Sequence, residues 1–189
     1  MATKGYQSKW AVFSMSVPIF IETALQMMVP NIDQFMLSRY SQNSVAAVGN
    51  DNVIFNLVIL SLAVLSQAAT IMISHYRGAR NLTKISEICT IALFTNLVLG
   101  LVISLILFIR GDWVLTLLEI PPHIWGDAIL YMRWIGLFVF IQSMYMAFIS
   151  FLRGFSQLRL TMFCSLAMNI INIAGNMILI HGLGPIPSL

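Results

Sequence analysis

Two groups of polar side chains stand inside otherwise apolar stretches of this 189-residue chain. The first is Glu22, Gln26 and Asp33. At about 100° per residue these three fall within roughly 40° of one another on one face of a helix. The second is Ser165, Asn169, Asn172 and Asn176, whose 4-3-4 spacing gathers them within about 60°. A carboxylate and several amide oxygens are suited to holding one proton or one sodium ion. Hard cations take oxygen ligands, and a carboxylate in an apolar setting resists being charged. Occupancy by a cation removes the buried charge, so the site has two states of different solvation cost. Pro18 and Pro30 flank the first group. Each removes a backbone donor, so a bend or local opening of the helix is expected there, and both are candidate hinges.

For every one of these residues a plainer reading stays open. Asp33 lies six residues before Arg39, or about 9 Å of helix, so an interfacial carboxylate reaching headgroups would also fit. Glu22 and the asparagines could serve only as interhelical hydrogen-bonding groups, at about 0.6–2 kcal/mol each. Asn52, Asn56 and Gln142 are lesser polar points.

The elements that must carry these residues are membrane helices. Hydrophobic residues make up 59% of the chain and charged residues 9%, against about 25% charged in an ordinary soluble domain. Lipid is the natural solvent for such a composition, and the +3 net charge then reflects basic loops and not a nucleic-acid partner. Five apolar segments run from about Trp10 to Leu37, Ser44 to Tyr76, Ile85 to Ile109, Ile124 to Leu152 and Leu160 to Ile180. Each reaches the ~20 residues that cross a bilayer as a helix. No ten-residue block alternates with period two, so a β-barrel is excluded. The expected fold is all-α, with five transmembrane helices.

Lys4, Lys9, Arg77, Arg80, Lys84, Arg153 and Arg159 occupy one set of alternate loops, and Arg39 and Arg110 the other. This bias puts the N-terminus in the cytoplasm of a multi-pass cell-membrane protein. The first apolar run is too long for a cleaved signal peptide. Cys89 and Cys164 lie within apolar runs and read as small buried side chains. His75, His123 and His181 are scattered, and neither a Cys/His metal cluster nor a phosphate-binding glycine loop is present in the sequence, so no enzyme, cofactor or metal site is expected.

Longer motifs carry a family likeness. SVPIF is followed by NIDQFMLSRYSQNSVAAVG, then by ISHYRGARN after the second span, and finally by FLRGFSQLRLTMFCSLAMNIINIAGNMILIHGLGPIP. In order and spacing these resemble the N-terminal half of a multidrug and toxic compound extrusion (MATE) transporter, over nearly the whole chain. The resemblance implies about twelve helices in two six-helix bundles, the sort of internal repeat common in transporters. This chain would then supply five helices of the first bundle, an incomplete six-helix lobe, with the sixth helix and the second lobe expected elsewhere in the full-length protein. It implies export of cationic, amphipathic drugs in exchange for H⁺ or Na⁺. In one branch the aspartate of the first helix and an Asn-x-x-x-Asp pair on the fifth form the coupling site. Asp33 falls on the first position and Asn172 on the second, whereas Asn176 replaces the aspartate. One carboxylate fewer makes tight sodium binding less favourable. Pro18 matches the family's first-helix proline, and His75 stands where glutamine is more usual.

Glu22, Gln26 and Asn169 then become candidate secondary polar or substrate contacts. Twelve Met and twelve Phe residues suit both an adaptable drug cavity and lipid-facing helices. The competing function is a non-transporting membrane subunit or scaffold whose polar residues only hold helices together.

Overall fold

In the computed structural model, the described backbone covers residues 9–38 and 42–181. Side chains are described for residue 13 and for residues 16–175, apart from 26, 29 and 39–44. Six helices follow in order: α1 Lys9–Ser38, α2 Gln42–Gly78, α3 Leu82–Leu117, α4 Trp125–Leu137, α5 Val139–Gly154 and α6 Leu158–His181. Among the described residues there is no strand. The fold is all-α. The helices α2, α3 and α6 are long and apolar enough to cross a membrane, as is the bent pair α4–α5 taken as one span. At 30 residues, α1 has a length of about 45 Å, which also exceeds the ~30 Å hydrocarbon layer.

The chain divides into two compact units, Met1–Met36 with Gln157–Leu189, and Leu37–Ser156. The second unit holds α2 to α5. One face of α2 is buried along its length at Ala47, Asp51, Phe55, Leu62, Ser66, Ala69 and Ile73, mostly at the spacing of one or two helical turns. Of these, Ala47, Phe55 and Leu62 join Leu107, Val114 and Leu115 of α3 and Ile124, Ala128 and Met132 near the start of α4. A smaller cluster of Ile73, Ile85 and Ile88 closes the α2–α3 end. Large apolar side chains such as Leu57, Phe94, Leu105 and Trp134 are exposed. That is the expected outside of a bundle solvated by lipid tails, where packing and not hydrophobicity drives helix association.

Close packing depends on small residues. A Cβ added at Gly100, Gly136 or Gly154 would lie 2.7 Å from Ser143, Leu107 or Ile73, respectively. A polar seam runs through the same interfaces. Ser143 Oγ donates to the Asn96 carbonyl at 2.6 Å, Thr70 Oγ1 to the Ser150 carbonyl at 3.1 Å and Ser74 Oγ to the Gly154 carbonyl at 3.3 Å.

Two features differ from the sequence expectation. The third apolar segment, expected to end at Ile109, is broken there by a kink at Arg110 (φ −114°, ψ 19°), after which a further helical stretch runs on to Leu117. Polarity at Arg110 and Asp112 marks where apolar character ends and the helix kinks. The fourth segment, expected as one helix, breaks at Phe138 and bends by 44°. No proline is responsible. Gly136 lets Leu107 of α3 approach, and the Phe140 N–H donates to Ser104 Oγ of α3 at 3.0 Å. A side chain from a neighbouring helix thus satisfies a donor at the break, one of the recognised ways to interrupt a helix.

Three of the four helices of this unit, α2, α3 and α5, are followed within two residues by a left-handed residue that turns the chain sharply. Arg80, Glu119 and Ser156 have φ of 54°, 53° and 57°. At the first two, the following residue's N–H reaches back to the carbonyls of Tyr76 and Leu115, the helix-terminating pattern usually built on glycine. Asn81 then caps α3 by accepting from the Lys84 N–H at 3.1 Å.

Candidate functional site

The polar faces recognised in the sequence lie on α1 and α6, both in the first unit. Glu22 is 2% exposed, and Ser165 Oγ donates to its Oε1 at 3.3 Å. Eleven residues further along α1, Asp33 is half-buried. With the amide of Asn172 turned so that its nitrogen faces the carboxylate, that nitrogen donates to Asp33 Oδ1 at 3.0 Å and Oδ2 at 3.3 Å. The opposite amide orientation would set oxygen against two carboxylate oxygens, which is unfavourable for an ionised acid. Both contacts run between α1 and α6, separated by about 10–16 Å along the helices.

The remaining candidates are placed as follows. Pro18 is buried and Pro30 exposed, and α1 continues as helix through both. The expected opening at these prolines therefore does not interrupt the helix. Nearby side chains bond back onto the same helix, Thr23 Oγ1 to the Ile19 carbonyl at 2.9 Å and Asn31 Nδ2 to the Met27 carbonyl at 2.6 Å. Asn169 is half-buried without a hydrogen bond among the described residues. The side chains of Gln26 and Asn176 lie outside the described residues. Among the described residues no three His, Cys, Asp or Glu side chains gather into a metal-binding group.

Besides several buried serines and a threonine, a buried amide and a buried carboxyl escaped the sequence reading. Asn96 on α3 is 1% exposed and bonds its own helix through Nδ2 to the Ala92 carbonyl while receiving Ser143. Asp51 on α2 is fully buried. Sequence reasoning singled out its neighbours Asn52 and Asn56, which prove half-buried and exposed. The available signal was Asp51's place between Ala47 and Phe55, four residues from each on the apolar stripe.

The sequence profile of the family described as MatE matches residues 18–178. The chain belongs to the MATE family. Among curated relatives of this MATE chain, an uncharacterized transporter, YisQ, of Bacillus subtilis (strain 168) is 36% identical over 98% of the chain and 41% of its own length. A probable multidrug resistance protein, NorM, of Acinetobacter baylyi is 28% identical over 94% of the chain and 39% of its own length. A crystal structure of MATE in complex with MaD3S superposes with a TM-score of 0.85 at 24% identity, over 92% of this chain and 39% of that one. At that identity the likeness speaks for the fold. The chain thus spans about two-fifths of the length of the relatives it matches.

Proposed function

We propose that this MATE chain forms part of a cation-coupled antiporter that exports cationic amphipathic compounds across the cell membrane, its N-terminus in the cytoplasm, and that Asp33 takes up the coupling proton. The observation that carries this reading is the contact between Asp33 and Asn172. An amide is a partner for either charge state of an acid. The ionised carboxylate accepts from the amide N–H, and after protonation its O–H donates to the amide oxygen once the amide has turned. Proton uptake then removes a charge that is costly at membrane depth without stranding a polar group.

Pro18 and Pro30 leave the carbonyls of Ser14 and Gln26 without their helical donors, so α1 is the element best able to change shape with that charge. One carboxylate with one amide suits a proton better than sodium, which needs more oxygen ligands. Glu22 is the candidate second acidic contact, for a cationic substrate. Names of relatives as multidrug resistance proteins agree with such an export role. Alternating access requires two repeats that rock about a shared site, so transport belongs to the full-length protein.

The test is efflux of a fluorescent cationic dye from proteoliposomes holding the full-length protein, under a pH gradient or a sodium gradient. Asp33→Asn should lower pH-driven transport at least about tenfold, a change of about 1.4 kcal/mol. Unchanged transport and unchanged pH dependence would remove Asp33 from the mechanism, and a sodium-only response would replace the proton.

A further inference from the structure

We propose that Asp51 is a second proton-binding site, built into the α2–α4 interface of the second unit and independent of Asp33. Its relative exposure is 0%, and neither carboxylate oxygen has a hydrogen-bond partner among the described residues. Ala47 and Phe55, one turn to either side, belong to the apolar cluster formed with Ile124, Ala128 and Met132. The Phe55 ring meets Tyr131 of α4 edge-on, with centroids 6.0 Å apart. Asp51 therefore occupies a core position in an apolar interface.

An ionised carboxylate cannot rest there. Removing a charge from water without a partner is strongly unfavourable, and such a group instead binds a proton and becomes neutral. Among the described residues of this unit, the charged groups on the elements packed against α2 do not offer an alternative. Arg110 and Asp112 of α3, Glu119 and His123 of the following turn, and Asp127 and Arg133 of α4 are all exposed. Lys84 and Glu87, at the opposite end of α3, pair with each other at 2.7 Å. On α5, the Thr70–Ser150 and Ser74–Gly154 bonds fix the register with α2. That register puts Tyr145 level with residue 65, about 21 Å along the helix from Asp51, and Arg153 further still. Tyr131, half-buried, is the nearest titratable side chain by register, and it carries no cation. The ligand is thus a proton.

Proton loss at Asp51 would require the start of α2 to part from α4 or admit water, so its occupancy and the packing of that interface are linked. Asp51 lies nine residues after Gln42, the first residue of α2, about 13 Å along the helix.

Infrared spectra of the full-length protein in lipid, taken at neutral pH, test this directly. A protonated carboxyl has a carbonyl stretch distinct from that of a carboxylate. Asp51→Asn should abolish the absorption of one protonated carboxyl, while Asp33→Asn should leave that component in place. Equal absorption in wild type and Asp51→Asn would overturn the proposal. The wild-type protein provides a second measurement that does not depend on assembly of the variant, the ¹³C shift of the Asp51 carboxyl by solid-state NMR. A shift at the carboxylate position at neutral pH would equally overturn it. Neither measurement depends on whether Asp33 couples transport.

Discussion

Gly100 gives the sharpest test of how the second unit is held together. An added Cβ would lie 2.7 Å from Ser143 Cβ and 2.9 Å from Phe140 Cα, whereas carbon atoms rest about 3.5–4.0 Å apart. The deficit of about 1 Å involves backbone on one side, so a rotamer change cannot absorb it and α3 must move away from α5. Overpacking of this kind costs about 1–3 kcal/mol. The same movement stretches the 2.6 Å bond from Ser143 to the Asn96 carbonyl, an interhelical bond worth about 0.6–1.7 kcal/mol in a membrane protein. Gly100→Ala should therefore destabilise by about 2–4 kcal/mol, taking the two contributions together. Gly126→Ala is the matched control, since nothing lies within 4 Å of its Cβ position. On the surface of α4 the same chemical change should be neutral or stabilising, by up to about 1 kcal/mol. Thermal unfolding of the purified full-length protein reads both. A Gly100→Ala melting temperature no lower than that of Gly126→Ala would refute the packing argument.

Three further outcomes are expected. Ser104→Ala deprives the Phe140 N–H of its acceptor at the α4–α5 break and should cost about 1–3 kcal/mol, read as a lowered melting temperature; an unchanged one would show that the break does not rely on Ser104. Glu22→Gln keeps an oxygen for Ser165 and should hold stability within about 0.5 kcal/mol, while transport of cationic dyes falls relative to neutral ones; equal loss for both would deny Glu22 a charge role. Asn172→Leu leaves Asp33 without the amide found beside it and should weaken pH-driven efflux much as Asp33→Asn does, whereas full activity would show that the amide is dispensable.

The apolar runs made the helices legible, because composition and length alone decide what lipid will accept. The faces carrying Glu22 with Asp33 and Ser165 with Asn172 were legible too, since helical periodicity collects side chains regardless of tertiary context. The break at Phe138 was not. It depends on Gly136 meeting Leu107 and on Ser104 reaching a backbone N–H, and neither partner is near in sequence. Asp51 was missed for a related reason. One residue of helix turns a side chain by about 100°, so choosing Asn52 over Asp51 exchanges a half-buried face for the core. Only the partners of α2 reveal which of two adjacent polar residues points inward.

In the two proposed proton sites, Asp33 and Asp51, different surroundings would assign different work to the same side chain. Asp33 is half-buried beside an amide that can serve as donor or acceptor. Both of its charge states are therefore accommodated, which is what a group must have if it is to change state in every cycle. Asp51 is buried between two members of an apolar cluster, surroundings that on the proposal above favour its neutral state. A group of that kind changes state only when its interface opens. On these proposals, proton exchange at Asp33 would follow a local turn of an amide, whereas exchange at Asp51 would wait on helix separation. The two should differ in rate accordingly. In hydrogen–deuterium exchange followed by infrared spectroscopy at a pH low enough to protonate both acids, the Asp51 carboxyl should shift more slowly than that of Asp33, and equal rates would mean that α2 and α4 part as readily as an amide turns.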